Sequence, residues 1–224
     1  MSIARFTAIV FCLFSIPLSA EAQRSYYFGQ STDPAPVELA IQDKDEVLHF
    51  SIPKAYLIFS ENWSGGLQDF FVLETVFPSM VPRSLAGIDA NNADVLVIDF
   101  HSYANTGANY STRKTIDFFV KEKWARVESA LVKNGRSYQY YVEKRDVEKR
   151  FDNHSLIKEF YVADGQDIYF ECFRELSNPH VGCHGFADYG KNLSLSFAFR
   201  RSQFERWPEF YDAVVRLLNS FRKV

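Results

Sequence analysis

The sequence predicts an α+β fold: a mainly antiparallel β-sheet with one or two amphipathic helices packed against a face. Three observations carry this. Short apolar runs with period-two alternation recur along most of the chain. Turn residues, Asp164-Gly165 most clearly, join consecutive runs as hairpins, and no strand–helix–strand alternation is present. Only the stretches near 115–133 and 203–221 repeat apolar residues at threes and fours, as a helix face requires.

The elements can be taken in order. The chain opens MSIARFTAIVFCLFSIPLSAEAQ, with Arg5 before an apolar run and Ala20-Glu21-Ala22 as a small-x-small site. This pattern predicts a cleaved signal peptide over 1–22, because the apolar run is about 13 residues where a membrane span needs roughly 20. Cys12 would leave with it. The mature chain, 23–224, is expected to be a single α+β domain with an irregular lead-in over 23–37, where Pro34 and Pro36 break any ladder. VLHFSIPKAYLIF at 47–59 reads as two short strands around Pro53, and DFFVLETVF at 69–77 as a strand stopped by Pro78. DVLVIDFHSY at 94–103 is nearly continuous in apolar residues, which suggests burial on both faces.

The first helix is expected over 115–133, with Ser111 or Thr112 as cap and Asn134-Gly135 as its close. Trp124 to Val132 would also tolerate a strand. RSYQYYVEK at 136–144 alternates as a strand. Leu156–Val162 and Gln166–Phe173 form the clearest hairpin, and NLSLSFAFR at 192–200 alternates again. The last helix covers about 203–221 and starts properly near Trp207, since Pro208 suits a first turn.

Composition narrows the partners. The chain is 47% hydrophobic and 24% charged, with net charge −3 and no basic face in the sequence, which argues against a nucleic-acid partner. No later run reaches membrane-spanning length, so the mature protein is not expected to be integral to a membrane.

Cys172 and Cys183 are the cysteines that remain after the leader, and export favours their pairing as a disulfide across the connection between two strands. A zinc site from Cys172, His180, Cys183 and His184, or a pair of free thiols, is the alternative; zinc's usual short ligand spacings are missing, so no metal is assigned. His180 and His184 are then expected on an exposed loop.

Enzyme signatures are sparse. There is no G-x-S-x-G, phosphate loop or H-E-x-x-H, and no cofactor motif. Asp99 and His101 stand two apart on an expected strand and so share a face, which could set an imidazole beside a carboxylate. Asp43-Lys44-Asp45-Glu46 reads as a solvated acidic turn. Four N-x-S sequons, at Asn62, Asn109, Asn153 and Asn192, matter only in a eukaryotic secretory route. Large side chains on expected loop tips, Trp63, Met80 and Tyr110, are the candidate interface residues.

Residues 192–221, NLSLSFAFRRSQFERWPEFYDAVVRLLNSF, run from an apolar strand through a short break to a helix closing on Ser220-Phe221. This ending resembles that of PsbP-like domains, including the periplasmic DcrB-like proteins, and of some bacterial toxin-immunity proteins. The resemblance implies an exported, non-enzymatic α+β domain and transfers no catalytic residue. The expected function is therefore a periplasmic or secreted protein that binds another protein, with toxin neutralisation as one form of it. A small-molecule or lipid carrier with a Phe-lined pocket between sheet and helix is the alternative, and a hydrolase built on Asp99 and His101 a third.

Overall fold

The computed structural model describes residues 29–87, 94–104, 111–144, 157–174 and 182–223. Its strands are β1 (Pro36–Asp43), β2 (Glu46–Pro53), β3 (Gly66–Gln68), β4 (Phe70–Phe77), β5 (Val81–Pro82) and β6 (Asp94–Ser102), then β7 (Trp124–Lys133), β8 (Arg136–Glu143), β9 (Ile157–Ala163), β10 (Ile168–Arg174), β11 (Gly182–Asp188) and β12 (Leu193–Arg200). Among the described residues two α-helices join them, α1 (Thr112–Glu122) and α2 (Trp207–Phe221). Nine strands form one antiparallel sheet in the order β5-β4-β6-β12-β11-β10-β9-β8-β7, and β2-β1-β3 form a smaller one. The fold is α+β, as expected.

Period-two alternation gives the large sheet an inner and an outer face. On the inner face Phe71 and Leu73 of β4, Ile98 and Phe100 of β6, Leu195 and Phe197 of β12, and Phe170 of β10 are fully buried. They pack against β1 and β2 and against α2, whose Trp207, Phe210, Val214 and Leu218 form its buried stripe. Phe50 of β2 meets Phe71 and Phe100 edge-on at 5.4 and 5.5 Å. Each such side chain contributes roughly 1.5–3 kcal/mol by leaving water. On the outer face α1 covers the far strands, with Ile116 in a cluster with Trp124, Tyr141, Phe160, Val162 and Tyr169.

Several expectations are corrected. The helix expected over 115–133 ends at Glu122, and Trp124–Lys133 is strand β7, paired with β8. Asn134 and Gly135 both have positive φ, 49° and 74°, so they make the two-residue hairpin turn between β7 and β8 rather than a helix cap. The helical spacing is present, but Trp124 instead folds back beneath α1, 4.0 Å from Phe160. The cap of α1 comes from elsewhere: the Thr112 amide donates to Asp188 Oδ1 of β11 at 2.8 Å. The irregular lead-in ends early, because Pro36 starts β1, where a missing N–H costs nothing. VLHFSIPKAYLIF holds one strand, ending at Pro53, then a single 3₁₀ turn over Lys54–Tyr56; Leu57 makes only an isolated bridge to Leu73. Strand β6 buries one face completely and leaves Val97, Asp99 and His101 half-open on the other.

Candidate functional site

The half-open side of β6 belongs to a groove on the outer face of the large sheet. Register places Asp99 between Val72 of β4 and Ser196 of β12, and His101 between Phe70 and Ser194. One step further, Val97 lies beside Ala198, which pairs with His184 of β11. The chain after the 3₁₀ turn supplies the far wall with Ile58 and Phe59, fixed where the Ile58 amide donates to the Val72 carbonyl at 3.2 Å. The groove encloses about 520 Å³, within the usual range for a ligand or anchor pocket. Its walls are ordered by rings: Phe59 meets Phe70 edge-on at 5.7 Å, and His101 stacks on Phe70 at 6.0 Å. His184 is exposed at the α1 side and stacks on Phe186 at 6.3 Å.

Asp99 is the acid in this apolar setting. Its Oδ1 is buried and has no hydrogen-bond partner among the described residues. Burial pushes its carboxyl above the usual aspartate range, and the neighbouring His101 opposes this only in part. Two ion pairs stand on the same face, Arg83 with Glu74 at 2.6 Å and Lys158 with Glu171 at 3.4 Å. Among the described residues no group of three acidic, His or Cys side chains is placed to hold a metal ion. Asp99 and His101 share a face, as their spacing requires, but no hydrogen bond joins them, and the imidazole packs against Phe70 and Tyr103. The residues build a groove with apolar walls and one carboxylate, Asp99, whose Oδ1 is buried.

The other predicted residues lie as follows. Cys172 and Cys183 form a disulfide, with S–S 2.01 Å, directly opposite one another on β10 and β11. Both are buried on the inner face, near the ion pair of buried Glu159 with Arg201. Tyr140 and Tyr161 donate to the same carboxylate at 2.8 and 3.1 Å. Burial drives the Tyr161 hydroxyl far above its usual pKa. Trp63 turns inward: its indole N–H donates to the Leu57 carbonyl at 3.1 Å, and Lys54 caps the ring at 4.8 Å. Met80 is half-buried and lines a shallow cleft between Phe77-Pro78 and α2, with Glu209, Asp212 and Arg216. Tyr110 and His180 lie outside the described residues, as do Asn109 and Asn153. Asn62 and Asn192 are buried, at 1% and 3% exposure, and so offer no ready glycan site. The space between sheet and α2, where a carrier's ligand was expected, is filled by Phe170, Phe197, Phe199 and Phe210.

Sequence reasoning missed two parts of this arrangement. His184 is on strand β11, not on a loop, and reaches the groove through its register with Ala198. The signal was faint: Cys183, Gly185 and Ala187 are small, so the inward-facing set of β11 lacks apolar bulk. Gly185 is small by necessity, since a Cβ there would stand 2.6 Å from the Phe197 ring. The second miss is Asp43. It is buried at the end of β1, where its carboxylate accepts from the Lys191 and Asn192 amides at 3.0 and 2.7 Å.

No family model matches the chain, and no curated protein matches its sequence. A solved structure does match: Smlt3025, an immunity protein of the Stenotrophomonas maltophilia type IV secretion system. It superposes with a TM-score of 0.55 over 85% of this chain and 94% of its own, at 15% identity. At that identity the likeness is one of fold.

Proposed function

We propose that this chain is an exported, toxin-neutralising immunity protein that acts by binding another protein. The observation that supports this most is the shared fold, which spans 94% of an immunity protein. The disulfide suits an oxidising compartment outside the cytoplasm, and the leader-like first residues suit export to the periplasm. No helix among the described residues is long and apolar enough to cross a membrane. The outer-face groove, with the Met80 cleft as a second contact, is the surface this reading assigns to the partner. Trp63 serves it by bracing the groove's Ile58–Phe59 wall.

The test takes a candidate toxin from among the proteins encoded beside this chain's gene. Directed to the periplasm of a bacterial host, it should arrest growth. Co-export of this chain should restore growth, and the two should elute as one complex. Growth arrest that co-export does not relieve, with no complex formed, would overturn the proposal.

A further inference from the structure

Asp99 presents an electrostatic problem. A carboxylate oxygen with no donor, at the floor of an apolar groove, is costly to keep charged. Nearby on the same face Glu74 pairs with Arg83 and accepts from Gln30 at 3.3 Å, and Glu171 pairs with Lys158. Asp99 has no such partner among the described residues. The side chains around it, Val72, Val97, Ser196 and Ala198, are small or medium, and Asp99 lines the groove together with them. The walls are the rings of Phe59, Phe70 and His101. Rings beside an acid make a good seat for a flat or compact cation, which gains from the ring faces and from the carboxylate together.

We infer that the groove receives a basic side chain, arginine or lysine, from the neutralised protein, and that Asp99 is its buried counter-charge. This rests on the reading of the chain as an immunity protein. It explains why an acid stands in an apolar wall: the carboxylate destabilises the isolated chain slightly and is satisfied only in the complex. A desolvated pair of this kind holds a complex through its off-rate and excludes partners that lack the cation.

The experiment measures binding of that candidate toxin to wild type, Asp99→Asn and Ser196→Arg, alongside urea unfolding of each free chain. Asp99→Asn keeps shape and removes charge; it should weaken binding by about 30-fold or more while leaving the free chain as stable as wild type or more so. Ser196→Arg, next to Asp99 on β12, supplies the cation from within and fills the groove, so it should abolish binding in a folded chain. In the partner, one Arg→Ala or Lys→Ala change should weaken binding to wild type but cause no further loss with Asp99→Asn. A complex as tight with Asp99→Asn as with wild type would overturn the inference and leave the immunity reading standing. A free Asp99→Asn chain less stable than wild type would show the acid already paired within the chain, and would likewise overturn the inference alone. No complex with wild type would overturn both.

Discussion

Replacing Asp43 tests how the two sheets are joined. Its carboxylate, 4% exposed, accepts from two backbone amides in the turn between β11 and β12, one of them on buried Asn192. It thereby fastens the end of β1 to a turn almost 150 residues away, beside the Ser102 hydroxyl, which donates to the Gln42 carbonyl at 2.5 Å. Hydrogen bonds to a charged group are worth about 1.5–3 kcal/mol each, so Asp43→Ala, which removes both and leaves two amides short of an acceptor, should cost about 3–5 kcal/mol. Asp43→Asn retains one acceptor oxygen but turns an NH₂ group toward the second amide, and should cost about 1.5–3 kcal/mol. Against a total of about 5–15 kcal/mol for a typical domain, the alanine variant should lie close to unfolding. Urea titration at 25 °C, followed by tryptophan fluorescence and circular dichroism, gives the midpoints and slopes. An alanine variant within about 1 kcal/mol of wild type, or an asparagine variant equal to it, would refute the clamp.

Three further outcomes are expected. Removing the disulfide as Cys172→Ala/Cys183→Ala should cost about 3 kcal/mol in the chain-entropy account; reductant should shift wild type by a similar amount and leave the double variant unmoved. Gly185→Ala forces a methyl against the buried rings of Phe197 and Phe170, at 2.6 and 2.9 Å, and should cost about 1–3 kcal/mol by calorimetry. Asp99 gives a pH signature. Its folded-state pKa is raised, so the native chain holds the proton more tightly than the unfolded chain. Wild type should therefore lose stability relative to Asp99→Asn as pH rises from the usual aspartate value through the raised one, and keep that deficit above it. The imidazoles of the groove, on His101 and His184, remain in both proteins; a flat difference between wild type and variant from pH 3 to 7 would contradict the desolvation of Asp99.

Much of the architecture is local and therefore legible in the residues alone. Apolar runs in DFFVLETVF and DVLVIDF and alternation in NLSLSFAFR mark β4, β6 and β12, because each is short, apolar and bounded by turn residues. The stripe from Trp207 to Leu218 marks α2 by its helical period. The facing of Asp99 and His101 follows from their separation by two, and the pairing of the cysteines from the compartment that a leader implies.

What only the tertiary structure decided depends on neighbours far along the chain. Trp124–Lys133 satisfies both periods; pairing with β8 through the Asn134-Gly135 turn made it a strand, and a nearer reading of that dipeptide as a hairpin signal would have found it. β11 was hidden because its inward residues are small, cut to fit rings supplied by β10 and β12. Asp43 looked like a solvated acid because the amides it holds are contributed by residues 191 and 192. The groove is the plainest case: β4, β6, β12 and β11 each bring one or more side chains to it. Composition and spacing fix what each strand can offer, but register between distant strands decides which offerings meet, and that depends on long-range packing that no short stretch encodes.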